Sequence, residues 1–237
     1  MAVPHSNVSE RAVQIPAGRA TLDGDLGIPK DAPGIVLFAH GSGSSRFSPR
    51  NRHVAGILQS AGLATLLMDL LTPEEEQVDA LTGHLRFDIG LLAERLLHAT
   101  DWVQTQPDIQ GLRVGYFGAS TGGGAALVAA AERPEAVRAV VSRGGRPDLA
   151  GAALGRVRAA TLLVVGGRDL PVIDMNQDAL RQLHSESRLE IVPGATHLFE
   201  EPGALDQVAG LARDWLLRYL KSADRAERQH AAQRGTE

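Results

Sequence analysis

Residues 116–130 read YFGASTGGGAALVAA, and how this stretch is parsed decides the fold. A short apolar run narrows into small residues around one serine, then opens into an alanine-rich segment. Gly118-Ala119-Ser120-Thr121-Gly122 has the order G-x-S-x-G. A chain with this glycine and serine content holds roughly 0.14 such matches by chance, so the setting decides more than the bare pattern. The setting reads as a buried strand before the motif and a helix after it, the context that this motif requires. Glycine on both sides permits a tight, strained turn that a Cβ would obstruct. Such a turn holds the Ser120 hydroxyl above the sheet, near the positive end of the following helix.

Outward from this point one pattern repeats. The segments 34–40 (GIVLFAH), 63–69, 112–118, 136–142, 160–167 and 187–194 are apolar or β-branched runs closed by turn residues, the signature of strands buried on both faces. Before them, 12–16 and 20–28 alternate apolar with polar around Gly18 and Asp23-Gly24, and are expected to pair as an antiparallel edge. Phe87, Leu91, Leu92, Leu96, Leu97 and Val103 recur at helical spacing, with Pro107 closing that helix. Leu205, Val208, Leu211, Trp215 and Tyr219 mark one face of a last helix, and both tryptophans are expected in the core. The acidic TPEEEQVD (72–79) reads as a solvated loop or a helix start. Strands alternating with helices predict an α/β fold, a mostly parallel central sheet with an antiparallel N-terminal edge and helices on both faces. One domain is expected over 1–221, with a polar, disordered tail over 222–237.

Sheets of this kind bind ligands beyond the carboxyl ends of their strands, so chemistry is expected just after the strands. A serine hydroxyl is a poor nucleophile without a base. Of eight histidines, His197 in PGATHLFEEPG follows the last strand and is the expected base. His40 ends the strand 34–40 and is expected to brace its loop. Asp169, after LLVVGGR, is expected to orient His197. Asp174 on the same loop is its rival, and Glu200 and Glu201 lie close in sequence to His197. The oxyanion of a tetrahedral intermediate needs converging N–H donors: Thr121 and Ser42 are expected, with Gly41 or Gly43 as alternatives to Ser42.

Composition removes other classes. The net charge of −4 with scattered arginines gives no footprint for nucleic acid or an anionic membrane. The absence of cysteine excludes disulfides, thiolate metal sites and a cysteine nucleophile. No H-E-x-x-H or ordered G-x-G-x-x-G is present, so neither metal nor cofactor is expected. The N-terminal residues lack the apolar core of a signal peptide, and a cytoplasmic protein is expected. An edge-strand or last-helix homodimer is an outcome open to such sheets.

On HGSGSSR (40–46), MDLLTPEEE (68–76), GYFGASTGGGAAL (115–127), VVSRGGRPDLA (140–150), LLVVGGRD (162–169) and VPGATHLFEEPGALDQVAGLARDWL (192–216), the chain resembles an α/β-hydrolase of the dienelactone hydrolase-like group. It also resembles hydrolases found joined to phosphoribosyltransferase domains, although no such domain fits within these residues. The resemblance implies a triad of Ser120, Asp169 and His197. It departs at the nucleophile, since dienelactone hydrolase proper uses cysteine, so lactone specificity is not carried over. Only 143–159 separates two strands where many hydrolases insert a lid, so no large cap domain is expected. Arg143 and Arg146 on that segment are candidates for binding a substrate carboxylate; anchoring of the loop to Asp148 is the alternative. The expected activity is that of a serine hydrolase, carboxylesterase-like, on small or soluble esters. An acyltransferase with the same triad and a catalytically silent binding module are the rivals.

Overall fold

The computed structural model describes residues 8–221. Strands β1 (Val8–Ala17) and β2 (Ala20–Pro29) form an antiparallel hairpin that turns at Gly18 (φ 66°). Six more strands follow: β3 (Gly34–Ala39), β4 (Ala64–Met68), β5 (Arg113–Ala119), β6 (Val137–Arg143), β7 (Ala160–Gly166) and β8 (Ser187–Val192). The sheet runs β1-β2-β4-β3-β5-β6-β7-β8, antiparallel only where β2 meets β1 and β4. β3, β4 and β7 are buried at every position, which is why they read as unbroken apolar runs. The expected tail over 222–237 lies outside the described residues.

Among the described residues six α-helices cover the sheet: α1 (Pro49–Ser60), α2 (Pro73–Thr82), α3 (Ile89–Val103), α4 (Thr121–Glu132), α5 (Leu170–Gln182) and α6 (Ala204–Leu220). Alternate strand residues feed two separate cores. Ile35, Leu37 and Tyr116 pack with α3 and α4, whereas Val36, Phe38 and Phe117 pack with α1 and α6. The Phe38 and Phe117 rings lie 5.0 Å apart on that second face. Trp215 is buried and its Nε1–H donates to the Ala160 carbonyl at 3.1 Å; Trp102 is partly buried against the first core. TPEEEQVD opens a helix. Thr72 caps α2 and Glu75 closes a capping box, a signal legible in T-x-x-E. Between β6 and β7 the chain forms only 3-10 turns (Pro147–Arg156) kinked at Gly151, and among the described residues no cap domain covers the sheet.

The neighbouring strands β3 and β5 send their connections in opposite directions, β3 to β4 on one side and β5 to β6 on the other. That reversal opens a crevice at the carboxyl ends of β3 and β5. His40 stands at its edge, buried, and ties the loop after β3 to the end of β4. Its Nδ1–H donates to the Gly41 carbonyl (3.0 Å) and its Nε2 accepts the Leu70 N–H (3.0 Å), so the ring is held neutral. Burial lowers its pKa from 6.5. The unfolded chain therefore binds a proton at mild acidity that the folded chain refuses, and stability falls as pH drops below about 6.5, by up to about 1.4 kcal/mol per pH unit. Urea titrations at pH 7.5 and 5.5 should show this loss in the wild type and a smaller one in His40→Gln.

Candidate active site

Ser120 stands between the end of β5 and the start of α4 with φ 51°, ψ −122°, a backbone region nearly reserved for glycine. Two glycines make this turn sterically accessible. A Cβ on Gly118 would lie 2.5 Å from the Gly122 carbonyl oxygen, and one on Gly122 would run into the carbonyls of Ala39 and His40 at the end of β3. The turn is locked by its neighbours: Ser120 N–H donates to Arg143 O (3.2 Å), and Ser120 O accepts from Gly123 N–H (2.9 Å) and Arg146 N–H (3.0 Å). Both ends of the segment 143–146 thus grip the serine backbone. Asn176, fully buried on α5, holds the same segment by donating Nδ2–H to Gly145 O at 3.0 Å. Set among Asp174, Gln177 and Asp178, it carries no sequence signal that sets it apart from a solvent-facing polar residue.

His197 lies on the loop between β8 and α6. Phe199, two residues on, is buried in the core at φ 56°, and Thr196 N–H donates to Glu201 Oε1 at 3.0 Å. These contacts fix the loop on either side of the imidazole. The Asp169 turn after β7 is fastened to the same loop, because Arg168 N–H donates to Ala195 O at 2.9 Å. The consequence is a short bond, His197 Nδ1 to Asp169 Oδ2 at 2.6 Å. With Nδ1–H donating to the carboxylate, Nε2 carries the lone pair. Gly144 packs beside this ring, where a Cβ would lie 3.5 Å from Nδ1 and Cε1, so the segment 143–146 touches both the imidazole and the serine backbone. Among the described residues the Ser120 hydroxyl itself has no hydrogen-bond partner; such bonds commonly tighten only with substrate. The rival acids are placed elsewhere: Asp174 is exposed, Glu200 pairs with Arg50 (3.1 Å), and Glu201 serves Thr196.

The family profile described as "Dienelactone hydrolase family" matches residues 22–233. The chain belongs to the dienelactone hydrolase family. A dienelactone hydrolase from Anabaena variabilis, solved by crystallography, is 68% identical, with a TM-score of 0.89 over 91% of this chain and all of that one. Est1E from Butyrivibrio proteoclasticus shares the fold at 16% identity and a TM-score of 0.73, over 87% of this chain and 98% of its own. Two Mycobacterium tuberculosis proteins named as phosphoribosyl transferases are 60% identical over 211 residues, 89% of this chain and 47% of theirs. The chain therefore spans about half the length of these curated relatives.

Within this family member the remaining sequence candidates separate. Arg146 forms a two-pronged ion pair with Asp148 (2.9 and 2.7 Å), the contact expected of the loop-anchoring alternative. Arg143 is different. It is only 8% exposed, its Nε and Nη1 are buried without hydrogen-bond partners, and its guanidinium sits 6.0 Å from the Phe199 ring centroid. Burial, with the nearby charge of Arg50, lowers its pKa to about 10. Ser42 N–H is engaged, donating to the Thr121 side-chain oxygen at 3.0 Å. The loop carrying it is clamped by Arg46, whose side chain pairs with Asp69 and whose N–H donates to Asp69 Oδ1 at 2.7 Å. Beside the turn a cavity of about 460 Å³ opens against Ser42, Thr121, Leu70, Leu71, Leu92 and Glu76. Burial and the neighbouring Asp69 raise the Glu76 pKa, so this cavity disfavours a second anion.

Proposed function

We propose that the chain is a serine esterase acting on small or soluble carboxylic esters. The observation that carries this reading is the backbone of Ser120, since a packing turn has no reason to hold a serine at φ 51°, ψ −122°. In this reading His197 Nε2 takes the Ser120 proton as the oxygen attacks the ester carbonyl, and Asp169 steadies the imidazolium. Thr121 N–H, the first of the unpaired donors of α4, binds the oxyanion. His197 then protonates the leaving alcohol, and the same base activates the water that releases the acid. Exposure supports hydrolysis over transfer to another alcohol: the His197 side chain is 39% exposed, and among the described residues no cap excludes water. The test is pre-steady-state cleavage of a p-nitrophenyl ester. A burst of one p-nitrophenol per chain followed by slower turnover is expected, with free acid the main product even when methanol is added. Turnover no faster than that of Ser120→Ala would end the reading.

Arg143 extends the proposal to the substrate. A buried guanidinium with two unsatisfied nitrogens is costly unless an anion completes it. A carboxylate carried by the ester is the group proposed here, placed away from the acid-lined cavity. Arg143→Met is expected to raise KM for a succinate half-ester about tenfold, by roughly the loss of one charge-assisted bond, while a neutral ester is unaffected. An unchanged KM for the half-ester would remove Arg143 from the substrate site.

A further inference from the structure

We infer that the Thr121 hydroxyl is itself a donor to the oxyanion, a catalytic group beyond the Thr121 N–H; the inference rests on the esterase reading above. Thr121 is 2% exposed, stands at the first position of α4 directly after Ser120, and lines the cavity beside the loop that follows β3. Its oxygen accepts the Ser42 N–H at 3.0 Å. A hydroxyl that accepts one bond still has its own O–H to give, and no protein acceptor for that proton exists among the described residues. The Ser42 N–H therefore does not point at the reacting carbonyl. It polarises the Thr121 hydroxyl from behind, which strengthens the bond that hydroxyl can donate.

The Thr121 N–H and O–H belong to one residue, the one directly after Ser120, and in this proposal both reach the carbonyl oxygen as it becomes negative. In the tetrahedral intermediate that oxygen accepts both bonds. No proton is transferred: the hydroxyl keeps its hydrogen, and only the hydrogen-bond partner changes from solvent to oxyanion. Ser42 then acts as a positioning residue, and the loop clamp of Arg46 on Asp69 keeps its N–H directed at Thr121. Sequence reading placed Ser42 as the second direct donor because backbone N–H groups are the usual choice; a side chain at the variable position of G-x-S-x-G gave no sign of competing for that N–H.

The experiment compares wild type, Thr121→Val and Thr121→Ser on an ester and on its thionoester, whose sulfur is a weak acceptor. Thr121→Val is expected to lose about 100-fold in kcat on the ester with KM little changed, the usual cost of one oxyanion donor. Its loss on the thionoester should be several-fold at most, and Thr121→Ser should stay within about fivefold of wild type on both. Two results would overturn the proposal. Thr121→Val as fast as wild type or faster would mean that a freed Ser42 N–H is the true donor and the hydroxyl only covers it. Equal losses on ester and thionoester would assign the hydroxyl to loop structure alone. A wild type without turnover on either substrate would overturn the esterase reading and this inference with it, and so is distinguishable from both.

Discussion

A fluorophosphonate probe is expected to add one adduct to this protein, on the peptide containing Ser120, and none to Ser120→Ala. Turnover of an activated ester should fall by about 10⁶ in that variant, the scale on which a triad serine acts. The structure gives the reason a companion variant is informative. At φ 51°, ψ −122° any residue with a Cβ is strained by about 1–3 kcal/mol, and glycine is not. Ser120→Gly should therefore be equally inactive yet more stable than Ser120→Ala, by about 1 kcal/mol in urea denaturation. That pairing separates display for chemistry from packing, because a serine retained for packing would be lost at a cost in stability. Equal stability of the two variants would mean that the turn stores no strain. An adduct on any other serine would move the nucleophile.

The parts of this molecule that were legible in the sequence are those in which one residue type has one physical reason. Gly118 and Gly122 announce the turn because nothing larger fits, and β3, β4 and β7 announce themselves because both faces are buried. Asp169 and His197 could be placed because each directly follows a strand end. What stayed hidden depends on contacts between segments distant in the chain. Helix α1 was not legible because its run PRNRHVAGILQS is mostly polar, although the Ser48 cap and Pro49 mark its start. Arg143 and Arg146 look alike in RGGR, and only the fold shows one paired with Asp148 and the other enclosed without a carboxylate. Asp23-Gly24 resembles a turn but lies inside β2, opposite Gln14 and Val13, since the hairpin register is fixed by Gly18. The Ser42 N–H could not be followed to Thr121 from sequence at all, because 79 positions separate them.

Asp169→Asn is expected to lower kcat by about 10⁴ while leaving the fold and KM nearly unchanged, the scale known for a triad acid converted to its amide. The argument lies in the direction of one hydrogen bond. Asp169 Oδ2 sits 2.6 Å from His197 Nδ1, and a carboxylate can only accept there. An asparagine can turn its NH₂ toward the ring, in which case Nδ1 must accept and the proton moves to Nε2. The nitrogen facing the nucleophile then no longer has a lone pair, and Ser120 has no base. Backbone contacts that place the ring, Arg168 N–H on Ala195 O and Thr196 N–H on Glu201, do not involve the Asp169 carboxylate and survive the change. Asp174→Asn is expected within twofold of wild type, because that side chain is exposed and apart from the imidazole. If Asp169→Asn kept a tenth or more of the wild-type kcat while Glu201→Gln abolished it, the acid would have been misplaced. The loop contact of Glu201 with Thr196 would then have to be read as the third member of the triad.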